Sequence, residues 1–297
     1  MKIVRYVEKN EVKLGAVKGD GVIDLTRPFP SLSDNAIKLI QQWSEVKTQL
    51  EKIVSSSAPD AALANVRLLA PVARPGKIMA IGLNYADHIR ETGQKMPPHQ
   101  IWFTKAVTSI NGPFDPIELP IASAQVDYEA ELVVIVGKRC KHVPKQSAAD
   151  VVFGYCAGND VSVRDWQTQT TQWVLGKSFD THAPIGPWIV TADEIGDPHT
   201  MGIRCFVNGE RRQNSNTQNL VFNVYDQIAH LSRAMTLEPG DIIFTGTPGG
   251  VGLAMQPPQW LKAGDKVRVE IDRIGSIEAE MQPERASQPL HPGGNSQ

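Results

Sequence analysis

From residue 78 onward the chain is written in short β-branched and apolar runs (78–81, 132–136, 188–190, 203–207, 242–244 and 267–271), cut apart by Gly and Pro. Runs this brief fit strands and are too short for helices, which need about ten residues or more. Asn208-Gly209 is a hairpin turn, and Pro239-Gly240-Asp241 and Ala263-Gly264-Asp265 are turns that feed strands. Helical periodicity is sparse, chiefly over 224–235. The pattern predicts a mainly β, mostly antiparallel core with minor helices. Before residue 70 the segments 3–6, 12–17 and 22–25 alternate as strands. Ser33 or Asp34 then caps a helix with Ile37, Ile40, Trp43, Leu50 and Ile53 on one face. The expected organisation is a small α+β module over 1–70, joined at the stiff segment 71–76 to a main domain over 71–282. A disordered tail is expected over 283–297.

The 297 residues carry a net charge of −2, which gives no reason to expect nucleic acid or an anionic membrane as partner. No apolar stretch is long enough to span a bilayer, and the first residues run straight into strand-like alternation without a secretory signal. Three widely spaced cysteines, Cys140, Cys156 and Cys205, lack metal-type spacing and read as reduced thiols. A cytoplasmic location is the expectation.

Chemistry concentrates in three places. In Asp127-Tyr128-Glu129-Ala130-Glu131-Leu132-Val133 two acids stand one residue apart in a strand-like run, so both point the way of Val133 and Ile135. Burying an unpaired carboxylate costs several kcal/mol or shifts its pKa. A hard divalent cation between the two is the natural remedy. Asp160 is a third acid suitably placed, and Lys177 follows it. Taken alone, Glu-x-Glu also fits an edge strand with solvated acids. The second place is 82–93, where His88 and Glu91 stand at i,i+3 on a short helix. There a carboxylate fixes the imidazole tautomer and leaves the other nitrogen to take a proton. Gly82 and Gly93 suit a segment that closes over substrate; an exposed helical pair is the alternative. The third is the Gly-rich loop 245–252, which lacks the Gly-Lys-Ser/Thr of a nucleotide loop and suits a carboxylate or a plain tight turn.

As a set, Tyr128-Glu129-Ala130-Glu131-Leu132, Gly158-Asn159-Asp160-Val161-Ser162, Gly176-Lys177-Ser178-Phe179-Asp180 and Thr245-Gly246-Thr247-Pro248-Gly249 resemble the signatures of the fumarylacetoacetate hydrolase family. Gly82-Leu83-Asn84-Tyr85 and His88-Ile89-Arg90-Glu91 complete them in family order. The resemblance covers about residues 70–281. It is strongest to the branch of acylpyruvate hydrolases, 2,4-diketo-sugar-acid hydrolases and oxaloacetate decarboxylases or tautomerases. It implies a mixed β-roll in a homodimer, with Mg²⁺ or Mn²⁺ held by Glu129, Glu131 and Asp160. It further implies a general-base pair at His88 and Glu91, an active-site Lys177, and Arg164, Gln167 and Thr247 at the oxo-acid end of the substrate. Val163 stands where many of the family carry alanine, which bears on packing behind Asp160. The reaction favoured is hydrolysis of a C–C bond in a 2,4-dioxo acid, with oxaloacetate decarboxylation or keto–enol tautomerisation as the alternative at the same site. Two other readings are a glycoside hydrolase, disfavoured by an aromatic content of only 6%, and a non-catalytic oligomeric module.

Overall fold

The computed structural model of the protein describes residues 1–285. A twelve-stranded mixed sheet forms its frame. Along its main path run Ala61–Ala62, Gly21–Asp24, Glu11–Lys18, Lys2–Glu8, Ala183–Thr191, Val152–Asn159, Ala130–Val136, Ile242–Phe244, Ile78–Gly82 and Ile101–Lys105. These neighbours are antiparallel except at Ile242–Phe244, which lies parallel to Ile78–Gly82. A five-stranded sheet of Glu210–Asn216, Gly202–Val207, Lys266–Ile271, Gly275–Pro283 and Ile117–Leu119 packs on the first. The mainly β expectation with few helices holds.

The Ala130–Val136 strand is buried on both faces. Leu132, Val134 and Val136 join the core shared with the second sheet, whereas Val133 and Ile135 join the core under the N-terminal helices with Phe153, Cys156 and Phe244. A strand covered on both sides reads as a continuous apolar run, which is what the sequence shows. The N-terminal strands continue the main sheet through Lys2–Glu8, which pairs with Ala183–Thr191 at Lys2↔Val190 and Ile3↔Ile189.

Two local expectations are corrected. The helix expected after residue 34 is two helices, Ala36–Gln41 and Trp43–Ser56, and its cap is neither Ser33 nor Asp34. Asn35 Oδ1 accepts from the N–H groups of Ile37 and Lys38, while Ser33 lies at φ +50° behind a tight turn. At the other end Pro283 still belongs to a strand, and the Glu284 N–H donates to Leu119 O at 2.9 Å. Pro283 and Glu284 therefore fall outside the expected tail, which from residue 286 lies beyond the described residues.

Candidate active site

Pairing register brings the three acids together. In the antiparallel ladder Ala130 faces Asn159 and Glu131 faces Gly158, and one step further the Asp160 N–H donates to Glu129 O at 2.9 Å. Residues opposite one another in such a pair point to the same face, as do residues two apart on one strand. Glu129, Glu131 and Asp160 thus share a face, are all buried, and offer ligand oxygens within 4.8 Å of one another. Gly158 adds no side chain beside Glu131; a Cβ there would meet Val133 Cγ2 at 2.5 Å and Phe244 Cε1 at 2.8 Å.

Two of the acids are already paired with side-chain cations. Lys177 Nζ donates to Glu129 Oε2 at 2.6 Å and to Asp160 Oδ2 at 2.8 Å. Lys105 Nζ donates to Asp160 Oδ1 at 2.6 Å, and Arg164 Nη1 lies 2.7 Å from Glu129 Oε1. Glu131 receives only the Gly246 N–H, at 2.7 Å, and touches no cation. With Asp127, which takes Arg164 Nε and Nη2, four carboxylates face three cations, and the excess negative charge falls on Glu131. Titration follows this division. Burial opposes ionisation of Glu129, but Lys177 and Arg164 overcome it and hold its carboxyl at about 2. Burial, with Asp160 and Glu129 adding to it, pushes Glu131 well above the usual carboxylate range. Burial works to lower Lys177, and Asp160 and Glu129 nevertheless keep its ammonium above the ordinary lysine value. For Lys105 burial wins, lowering it despite Asp160.

The donor set tests the fit to a metal. All three ligands are hard carboxylate oxygens, one of them uncompensated, the chemistry that Mg²⁺ or Mn²⁺ prefers.

A cavity of about 120 Å³ opens over Glu129, Glu131 and Lys177. Ile81, Leu83, Phe103, Trp173 and Leu253 form its apolar wall, and Lys177 Nζ stands 5.0 Å from the centre of the Phe103 ring. His88, Gln167 and Thr247 line it as well. His88 Nδ1 bonds Glu91 Oε1 at 2.9 Å, and Glu91 Oε2 accepts the Gly250 N–H at 2.7 Å. The short helix Ala86–Glu91 is thereby tied to the Gly-rich loop. Larger clefts, about 750 and 950 Å³, lie elsewhere and hold no comparable charged cluster.

The segment around His88 is tied to the body of the protein by buried side chains and long-range bonds. Tyr85 and Ile89 are buried; Asn84 donates through Nδ2 to Phe222 O and Thr245 O, and its Oδ1 accepts the Phe222 N–H. Those long-range bonds left no local mark in the sequence.

Arg164, Gln167 and Thr247 come to the same region, yet much of their bonding capacity serves the protein. Arg164 spends its guanidinium on Asp127, Glu129 and Gln167 Oε1. The Thr247 hydroxyl donates to Ala130 O and accepts from Gln213 Nε2. Gln167 lines the cavity, with its Oε1 taken by Arg164 Nη1. Val163 is fully buried, and its N–H donates to Gly176 O at 2.8 Å, so the larger side chain is accommodated. Sequence reasoning missed Lys105, Asp127 and Gln213. For Lys105 a signal existed: a lysine inside the apolar strand Ile101–Lys105, on the face of Phe103.

A mainly β fold of mixed sheets with a buried three-carboxylate cluster, flanked by lysines and a His–Glu pair, is the frame of a class of enzymes that act on 2-oxo acids. The fumarylacetoacetate (FAA) hydrolase C-terminal family matches residues 77–282, and the chain belongs to that family. It is 45% identical over 283 residues to oxaloacetate tautomerase fahd2 of Xenopus laevis, named as mitochondrial, covering 93% of this chain and 89% of that one. The human oxaloacetate tautomerase FAHD2A, also named as mitochondrial, is 42% identical, covering 87% and 83%. Among solved structures, maleylpyruvate hydrolase of Sphingobium sp. SYK-6 in complex with manganese (II) ion and pyruvate superposes with a TM-score of 0.81. It is 34% identical and covers 96% of this chain and all of that one. The expected cytoplasmic location is overturned by the mitochondrial relatives. Free cysteines fit either compartment and had no power to separate them. No helix among the described residues is long and apolar enough to cross a membrane.

Proposed function

We propose that the chain is a Mg²⁺- or Mn²⁺-dependent oxaloacetate tautomerase, working in the mitochondrion as its curated relatives do. The preference for C–C hydrolysis drawn from the sequence yields to this reading. What carries it is a proton-accepting group and a proton-donating group in one small cavity over the acid cluster. His88 is held at Nδ1 by Glu91 and leaves Nε2 free; Lys177 is held by Glu129 and Asp160.

Glu129, Glu131 and Asp160 would hold the cation, which when bound supplies Lewis-acid polarisation of the 2-oxo carbonyl. His88 Nε2 takes the proton from C3 of the keto form, with Glu91 stabilising the imidazolium. Lys177 supplies a proton to the C2 oxygen and recovers one from solvent while His88 releases its own there, so the enol forms with no atom gained or lost and the enzyme returns to its starting state. Reversal of both transfers returns the keto form. The Gln167 amide orients the substrate carboxylate, and the apolar wall of Phe103 and Trp173 keeps bulk water from the reacting carbons.

A second reading is hydrolysis of an acylpyruvate, favoured by the same His88–Glu91 pair, which has the geometry to activate water, and by the activity named for the Sphingobium relative. Enol oxaloacetate given to the metal-loaded protein separates the two: its conversion to the keto form, followed by NMR, should accelerate, and EDTA should abolish the effect. An unchanged conversion rate, with an acylpyruvate cleaved under the same conditions, would sink the tautomerase reading and leave hydrolysis. A homodimer is part of the proposal; light scattering at the single-chain mass of 32.5 kDa would remove it.

A further inference from the structure

We propose that Lys105 is a positioning residue whose fixed charge, seated behind Asp160, restrains cation binding at the acid cluster so that an anionic oxo acid can bind there too. The inference rests on the metal-dependent reading above and adds to it a residue that no motif marked.

The Lys105 side chain has no solvent exposure. Its Nζ donates to Asp160 Oδ1 at 2.6 Å and to Val161 O at 3.3 Å, which fixes it to the loop that carries the acid. The other Asp160 oxygen takes Lys177. The two lysines are therefore not equivalent: Lys177 lines the cavity and can meet a substrate, whereas Lys105 is walled off from it.

Holding Asp160 in place needs only a hydrogen-bond donor. An ammonium does more, at a desolvation cost that a neutral donor avoids. Its charge cannot be relaxed by water and acts on whatever enters the cluster. With Lys105 present, four carboxylates face three cations; without its charge they would face two. A divalent cation would then bind more tightly and would itself be more fully neutralised. The site would consequently lose attraction for a carboxylate-bearing ligand. Lys105 thus trades cation affinity for anion affinity.

The test uses the full chain with Mn²⁺ alone, titrated by EPR, and then pyruvate added to the Mn²⁺-loaded protein. Lys105→Gln keeps an N–H donor for Asp160 and removes the charge. In this variant the Kd for Mn²⁺ should fall about tenfold or more, and that for pyruvate should rise by a similar factor. Lys105→Met, which loses the donor as well, should tighten Mn²⁺ less than the glutamine variant does. A purely structural lysine predicts the opposite sign, with Mn²⁺ loosened in both. Unchanged or weaker Mn²⁺ binding in Lys105→Gln overturns the proposal, as does failure of both variants to fold. Absence of Mn²⁺ binding in the wild type would mark failure of the metal-dependent reading itself, with this inference falling alongside it.

Discussion

His88 is held at one ring nitrogen and open at the other, and that asymmetry decides what its removal should do. The side chain lines the cavity but makes no bond to the acid cluster, so binding of the oxo-acid end does not depend on it. His88→Ala should therefore lower kcat for enol–keto conversion by about 10²-fold or more, with KM little changed. Steady-state kinetics on oxaloacetate checks this; a kcat near wild type would reduce the His88–Glu91 pair to a structural contact. Residues were the most legible scale of this site wherever chemistry forces a local pattern. Glu129 and Glu131 announce themselves by alternation, and His88 and Glu91 by helical spacing. Lys105 and Asp160 lie 55 residues apart, and no local period records such a pairing. The buried bonding of Arg164 was hidden for the same reason: its partner Asp127 is 37 residues away.

Elements explain how Lys177 reaches the acids. Gly176 brings the loop hard against the helix Arg164–Thr168. A Cβ on Gly176 would sit 2.3 Å from Gln167 N and 2.7 Å from Val163 O, both backbone atoms that cannot turn aside. Gly176→Ala should displace the loop, cost about 1–3 kcal/mol of stability, and lower the tautomerisation rate more than the melting temperature suggests. Calorimetry paired with kinetics reads both; an alanine variant matching wild type in each would show that the loop has room to give. Strand positions were readable because short β-branched runs between turns leave little choice. Their partners were not, since Asp160 faces Glu129 only through a register set by the whole Ala130–Val136 and Val152–Asn159 pair. The misplaced helix cap shows the limit on a shorter range. Ser33, Asp34 and Asn35 all have capping side chains, and the preceding turn at Pro30–Leu32 selects the last of them.

At the scale of the whole molecule, burial of one histidine sets an acid limit. His182 donates through Nε2 to Glu118 O at 2.8 Å, and burial depresses its pKa from 6.5 to about 3. The folded chain therefore keeps this imidazole neutral while the unfolded chain protonates it. Its contribution to stability is present in full above about pH 6.5 and is lost as pH falls toward about 3. The slope in that window approaches 1.4 kcal/mol per pH unit. Denaturant melts across it should show a shallower acid limb for His182→Asn than for wild type; matching limbs would remove His182 from the account.

The attachment of the N-terminal strands has a consequence for how such a chain tolerates change. They join the main sheet at its Lys2–Glu8 edge, and both Ala183–Thr191 and Val152–Asn159 stand between that edge and the strand bearing Glu131. Replacements, fusions or insertions around residues 8–11 and 18–21 thus act on hairpin turns separated from the reacting carbons by intact rows of backbone hydrogen bonds. Lineages can rewrite that outer flank while the chemistry is inherited unchanged.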